Sequence, residues 1–133
     1  MASPKIAIII SSTRQTRFGD KPAQWVYDIA SQRSDMEVEL IDLRTLRPLD
    51  VETIVKSISK THRCVVIDED YGYCGIGTAI SGKVYKRVWD ELDAPIEHVH
   101  SDEIPVPFNH YLEDAMMPSV EKIIASVKEV CYR

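Results

Sequence analysis

The sequence predicts an α/β three-layer αβα sandwich built on a mostly parallel sheet. Three observations lead there. The chain has 133 residues, 44% hydrophobic and 28% charged, the size and composition of one globular domain. Segments of strand character alternate with segments of helical period in the order βαβαβαβα, which implies a parallel sheet covered on both faces. The first apolar run, Lys5 to Ile10, is short, continuous and β-branched, as a strand buried on both faces is.

The elements follow in order. After Ile10 comes a polar loop, Ser11 to Gly19, then a helix for which Asp20 is a good N-cap and Pro22 suits the first turn. Trp25, Val26, Ile29 and Ala30 share one face of that helix and are expected to point inward. Met36 to Leu43 alternates as a second strand whose Glu37–Glu39–Ile41 face is the wetter one. Pro48 fixes the next connection, and Asp50 caps a helix with Val51, Ile54, Val55 and Ile58 inward. Arg63 to Asp68 reads as a third strand, followed by a glycine-containing loop, Asp70 to Gly77. A helix with Ile80, Val84, Val88 and Leu92 on one stripe comes next. Ile96 to Val99 reads as a fourth strand. A Pro-containing segment leads to a turn of helix around Tyr111 to Met116, and a last helix carries Val120, Ile123, Ile124, Val127 and Val130 inward.

The formal net charge of −5, from 16 basic and 21 acidic residues, disfavours nucleic acid and anionic membrane as partners. The longest apolar run, Ile6 to Ile10, is far below the ~20 residues that span a bilayer. Three cysteines (Cys64, Cys74, Cys131) without framework spacing read as free thiols in a reducing compartment, and the cytoplasm is the expected location. No linker divides the chain, so 1–133 reads as a single domain.

Two resemblances follow from local motifs. Strand Ile6–Ile10, then Ser11-Ser12-Thr13-Arg14, Arg17-Phe18-Gly19-Asp20-Lys21-Pro22 and Trp25-Val26, resembles the NADPH-dependent FMN reductases, a flavodoxin-like family, over residues 1–43. That resemblance implies that Ser12, Thr13, Arg14 and Arg17 hold an FMN phosphate or another anion. A loop between strand and helix, with hydroxyls and Arg side chains, suits a phosphate dianion on chemical grounds too. From Ile41 onward the chain resembles the transketolase-like C-terminal domain of the 2-oxo acid dehydrogenase beta subunit (pyruvate dehydrogenase type). The carriers are Leu43-Arg44-Thr45-Leu46-Arg47-Pro48-Leu49-Asp50, Gly75-Ile76-Gly77, Leu92-Asp93-Ala94-Pro95-Ile96, Pro105-Val106-Pro107-Phe108 and Met117-Pro118-Ser119-Val120. That resemblance implies subunit assembly and docking of a partner acyltransferase, with the thiamine-binding residues in preceding domains. Together the two resemblances read as an engineered chimera with a seam near 41–45.

Other clusters are weaker chemically. Asp68, Glu69 and Asp70 beside Gly72, Gly75 and Gly77 would repel a phosphate, and three adjacent carboxylates cannot all converge on one cation. Tight turning and close packing account for those glycines. His98 and His100, with His110, lack a fourth metal ligand, and no metal is expected. No nucleophile–base–orienter set is visible. Three readings stand: a non-catalytic chimeric scaffold, an FMN- or phosphate-binding protein with little or no reductase activity, and a docking module of a 2-oxo acid dehydrogenase complex. Apolar surface exposed by excision also implies a homo-oligomer.

Overall fold

The computed structural model describes residues 5–10, 20–35 and 37–132. They form two compact units, Met1–Thr61 and His62–Arg133. Each unit holds one parallel two-stranded sheet with helices packed on it. The α/β class and parallel pairing are as expected, with the strands joined two by two.

The first unit runs β1 (Lys5–Ile10), α1 (Asp20–Ala30), β2 (Glu37–Asp42) and α2 (Val51–Thr61). β1 pairs with β2 in register from Lys5 opposite Glu37 to Ile10 opposite Asp42. The first rung is reinforced by an ion pair, Lys5 Nζ to Glu37 Oε2 at 2.7 Å. β1 is not buried on both faces. Ile6 and Ile9, on opposite faces, are 40% and 38% exposed, because a two-stranded sheet is too narrow for α1 and α2 to close over it. α1 also turns differently from expectation. Ala23, Tyr27 and Ala30 are its half-buried stripe, and Trp25, Val26 and Ile29 are exposed. The two alanines at i and i+7 let the helix approach β1 and β2 closely, which leaves Trp25 on the far side.

The connection from β2 to α2 is closely bonded. Arg44 sits in the left-handed region (φ 58°), and the Asp42 carboxylate accepts from its N–H at 3.0 Å and pairs with its guanidinium at 2.8 Å. Thr45 Oγ1 donates to the Pro48 carbonyl at 2.6 Å, across a cis Arg47–Pro48 bond. Asp50 caps α2 as expected, accepting from Thr53 N at 3.0 Å and from Thr53 Oγ1 at 2.6 Å. Ile54, Ser57 and Ile58 are the buried face of α2.

The second unit runs β3 (Val65–Tyr71), α3 (Ile76–Val88), β4 (Glu97–Ser101), α4 (His110–Met116) and α5 (Val120–Val130). Val65, Val66 and Ile67 pair with Glu97, His98 and Val99; then the register shifts, and Tyr71 pairs with Ser101. β3 therefore advances four residues where β4 advances two, and the acidic triplet Asp68–Asp70 forms a bulge inside the strand rather than its end. Val84, Val88, Val99, Met116 and Val130 are buried apolar residues of this unit. Ser101 is wholly buried and its Oγ donates to the Glu69 carbonyl in the bulge at 2.9 Å. α5 is held at its C-terminal end by Arg63, whose Nε donates to the Val130 carbonyl at 2.7 Å, a cation against the negative end of a helix.

Candidate interaction site

The end of β3, the start of α3 and the 102–104 segment form one bonded cluster. Gly75, at the N-cap of α3, offers no side chain, so a residue from β3 supplies the cap. Asp68 Oδ2 accepts from Gly77 N at 2.9 Å. Asp70 Oδ1 accepts from Tyr71 N at 2.9 Å, Glu103 Oε1 from Tyr73 N at 2.9 Å, and Tyr71 Oη donates to the Ile104 carbonyl at 2.8 Å. The carboxylates of Asp68, Asp70 and Glu103 thus hold backbone, not a cation. Among the described residues no three His, Cys, Asp or Glu side chains are grouped to hold a metal.

The glycines of this loop serve close approach, not turning. None of the described glycines has positive φ; the left-handed position is Cys74, at φ 62°. A Cβ on Gly72 would lie 2.5 Å from His100 Nε2. One on Gly75 would meet the Tyr71 carbonyl oxygen, and one on Gly77 would meet Asp68 Oδ2 and come within 2.7 Å of Val66 Cγ1.

On another side of α3 lies a groove of about 600 Å³. Its helix wall is Thr78, Ser81, Gly82, Tyr85 and Trp89, spaced along one face; its other wall is Leu92 to Ile96 with His98. Tyr85 and Trp89 are 53% and 63% exposed, and Gly82 has open space where a Cβ would be. Two of its hydroxyls are committed, Thr78 Oγ1 to the Gly72 carbonyl at 2.8 Å and Ser81 Oγ to the Gly77 carbonyl at 2.9 Å. What remains is an aromatic-walled, mostly apolar surface with Asp93 and His98 in its lining. The Cys64 thiol, half-buried before β3, is pushed up to about 11 by burial and is no nucleophile at neutral pH.

Ser12, Thr13, Arg14 and Arg17 lie in 11–19, outside the described residues, as does the anion or FMN site expected of them. The flanking elements are described. In sequence, 11–19 falls between β1 and α1. β4 runs past its expected end at Val99, so that both His98 and His100 are on it, but they serve apart, His98 at the groove and His100 over Gly72 with Nδ1 at 2.9 Å from the Ser101 carbonyl. His62 donates from Nδ1 to the Glu91 carbonyl at 2.7 Å, fixing the 91–93 turn. Trp89 is part of the groove lining. Tyr85 and Gly82 were missed, although a glycine flanked by aromatic residues one and two turns on is a readable groove signal.

The family model for the transketolase C-terminal domain matches residues 24–123. The "Pyruvate dehydrogenase E1 component subunit beta" of Rickettsia felis is 44% identical over 101 residues, covering 76% of this chain and 31% of that protein. The subunit of the same name from Rhizobium meliloti is 40% identical over 98 residues, 74% of this chain and 21% of that one. The mitochondrial one from Dictyostelium discoideum is 39% identical over 101 residues, 76% and 28%. The chain spans less than a third of the length of these relatives. No match supports an FMN reductase part. The family match opens at residue 24 and crosses 41–45, so the expected seam does not mark where the family begins, and the boundary between the two units lies further on, after Thr61. With residues 24–123, from within α1 to the start of α5, inside one family's span, the chain belongs to the transketolase C-terminal domain family.

Proposed function

We propose that this chain is a non-catalytic docking and assembly module of a 2-oxo acid dehydrogenase of the pyruvate dehydrogenase type. The observation that carries the reading is the similarity over 101 residues to beta subunits of that enzyme, in a chain that spans less than a third of their length. The groove between α3 and the 92–98 segment supports it, being apolar, aromatic-walled and without an activated group. In this reading Tyr85 and Trp89 are anchor positions for a neighbouring subunit or the partner acyltransferase. Three free thiols fit a reducing compartment, the cytoplasm in this proposal.

The test is a calorimetric titration of the chain with the acyltransferase component of a pyruvate dehydrogenase complex, alongside an assay of 2-oxo acid decarboxylation with added thiamine diphosphate. Saturable binding that Trp89→Ala weakens, with no turnover, supports the reading. Turnover overturns the non-catalytic role; absence of binding overturns the docking role.

A second reading concerns residues 1–23, which the family match leaves uncovered. There the motif resemblance supports an anion site from Ser12, Thr13, Arg14 and Arg17, with FMN as the implied ligand, grafted by recombination. Its support is the motif together with its sequence position, between the last residue of β1 and the first of α1.

A further inference from the structure

α5 carries two apolar stripes, and the second unit uses one of them. Ile123 and Ser126 are half-buried and Val130 is buried, and this side packs on β3 and β4. The other stripe, Val120, Ile124 and Val127, is 66%, 48% and 41% exposed, and exposed Cys131 extends it at the same spacing. Steps of four, three and four residues are the seam spacing of paired helices. The helix is also fixed at both ends. Ser119 Oγ accepts from Lys122 N at 3.2 Å, and Arg63 holds the Val130 carbonyl. Little ordering therefore remains to be paid on association.

The charges beside the seam identify its occupant. One flank holds exposed Glu121 and Lys128, each one residue after a seam position; the other holds Ile123 and Val130, turned inward. Parallel pairing of two α5 helices would set a charged flank against an apolar one. Antiparallel pairing sets like flanks together, so Glu121 of each copy meets Lys128 of the other, twice by symmetry. The core layers are then Val120 with Cys131 and Ile124 with Val127. We infer that α5 is an antiparallel contact between two copies of this chain, closed by reciprocal Glu121–Lys128 pairs. This inference does not rest on the docking reading. A three-turn seam falls below the ~800 Å² per partner of a standard interface, so the association is weak and concentration-dependent.

Sedimentation equilibrium from about 10 μM to about 1 mM reads it. A reversible monomer–dimer equilibrium is expected. Glu121→Lys or Lys128→Glu alone turns both attractive pairs repulsive and weakens it about tenfold, and the double swap Glu121→Lys/Lys128→Glu restores it. Unchanged far-ultraviolet circular dichroism verifies that each variant folds. A monomer at every concentration, or a dimer indifferent to the single reversals, overturns the inference. Rapid Cys131–Cys131 cross-linking between copies overturns the antiparallel arrangement, since it requires the two C-terminal ends to meet.

Discussion

Replacing Gly77 with Ala sets two effects against each other, and their sizes decide the outcome. Gly77 lies in the first turn of α3, where Ala has about 1 kcal/mol better helix propensity. Against that, the new Cβ would meet Asp68 Oδ2, the atom that accepts from Gly77 N at 2.9 Å, and would stand 2.7 Å from Val66 Cγ1. Displacing the carboxylate loses the side-chain cap that Asp68 gives α3, worth about 1–2 kcal/mol. Crowding Val66, on a strand locked to β4, costs a further ~1–3 kcal/mol. The sum is a net loss of about 1–4 kcal/mol, which lowers a urea midpoint by at least about 0.3 M at m-values of about 1–3 kcal/mol/M. Gly82→Ala in the same helix is the control. Nothing lies within 4 Å of its would-be Cβ, so it should stabilise by about 0.5–1 kcal/mol. Urea titration followed at 222 nm measures both. In an Asp68→Ala background the penalty of Gly77→Ala should shrink, because one of the two clashes is gone. A Gly77→Ala variant as stable as the parent would refute the close-approach account of this loop.

Three further outcomes are expected. Asp50→Ala should lower the urea midpoint at pH 7 by removing the α2 cap. Hydrogen bonds from Thr53 hold the Asp50 carboxyl below its usual range, so its stabilising contribution is present above the unfolded value and is lost as pH falls below about 4; the variant should show a smaller acid loss than the parent. A thiol reagent at pH 8 should modify exposed Cys74 and Cys131 quickly and Cys64 only on unfolding. Because burial raises the Cys64 value to about 11, the unfolded chain releases its proton first as pH rises past about 8.5, and the urea midpoint should decline from there; three equally fast thiols would contradict this. Titration with FMN, followed by flavin fluorescence with riboflavin as the control, should show quenching by FMN alone if Ser12, Thr13, Arg14 and Arg17 form a phosphate site. Arg14→Ala and Arg17→Ala should each weaken it, and identical binding in both variants would reject the site.

The elements were legible where one local rule acted alone. Asp50 ahead of an apolar periodic run announced the α2 cap, and the cap is there. β-branched runs located β1 and β3. What failed was orientation. Periodicity marks which residues of a helix share a face, but α1 and α5 each carry apolar residues over more than half their circumference. The side that turns inward is then decided by packing, and in α1 the small residues Ala23 and Ala30 prevail over Trp25 and Ile29. The end of β3 was misplaced because Asp68–Asp70 has poor strand propensity. The Asp68 carboxylate is occupied by a helix terminus and the Glu69 carbonyl by Ser101, contacts distant in sequence that no local pattern carries. The groove needed the 92–98 segment brought against α3, so only its helical half could be read beforehand.

The bulge in β3 has an arithmetic of its own. Its surplus over β4 is two residues, and side chains alternate with a period of two. A surplus of one would have turned Tyr71 to the opposite face and carried its hydroxyl away from the Ile104 carbonyl. A surplus of two leaves the parity of everything downstream intact. Residues at this point could be gained or lost only in pairs if the strand is to keep its inside and its outside, and any loss that included Asp68 or Glu69 would also take away the cap of α3 or the acceptor of the Ser101 hydroxyl.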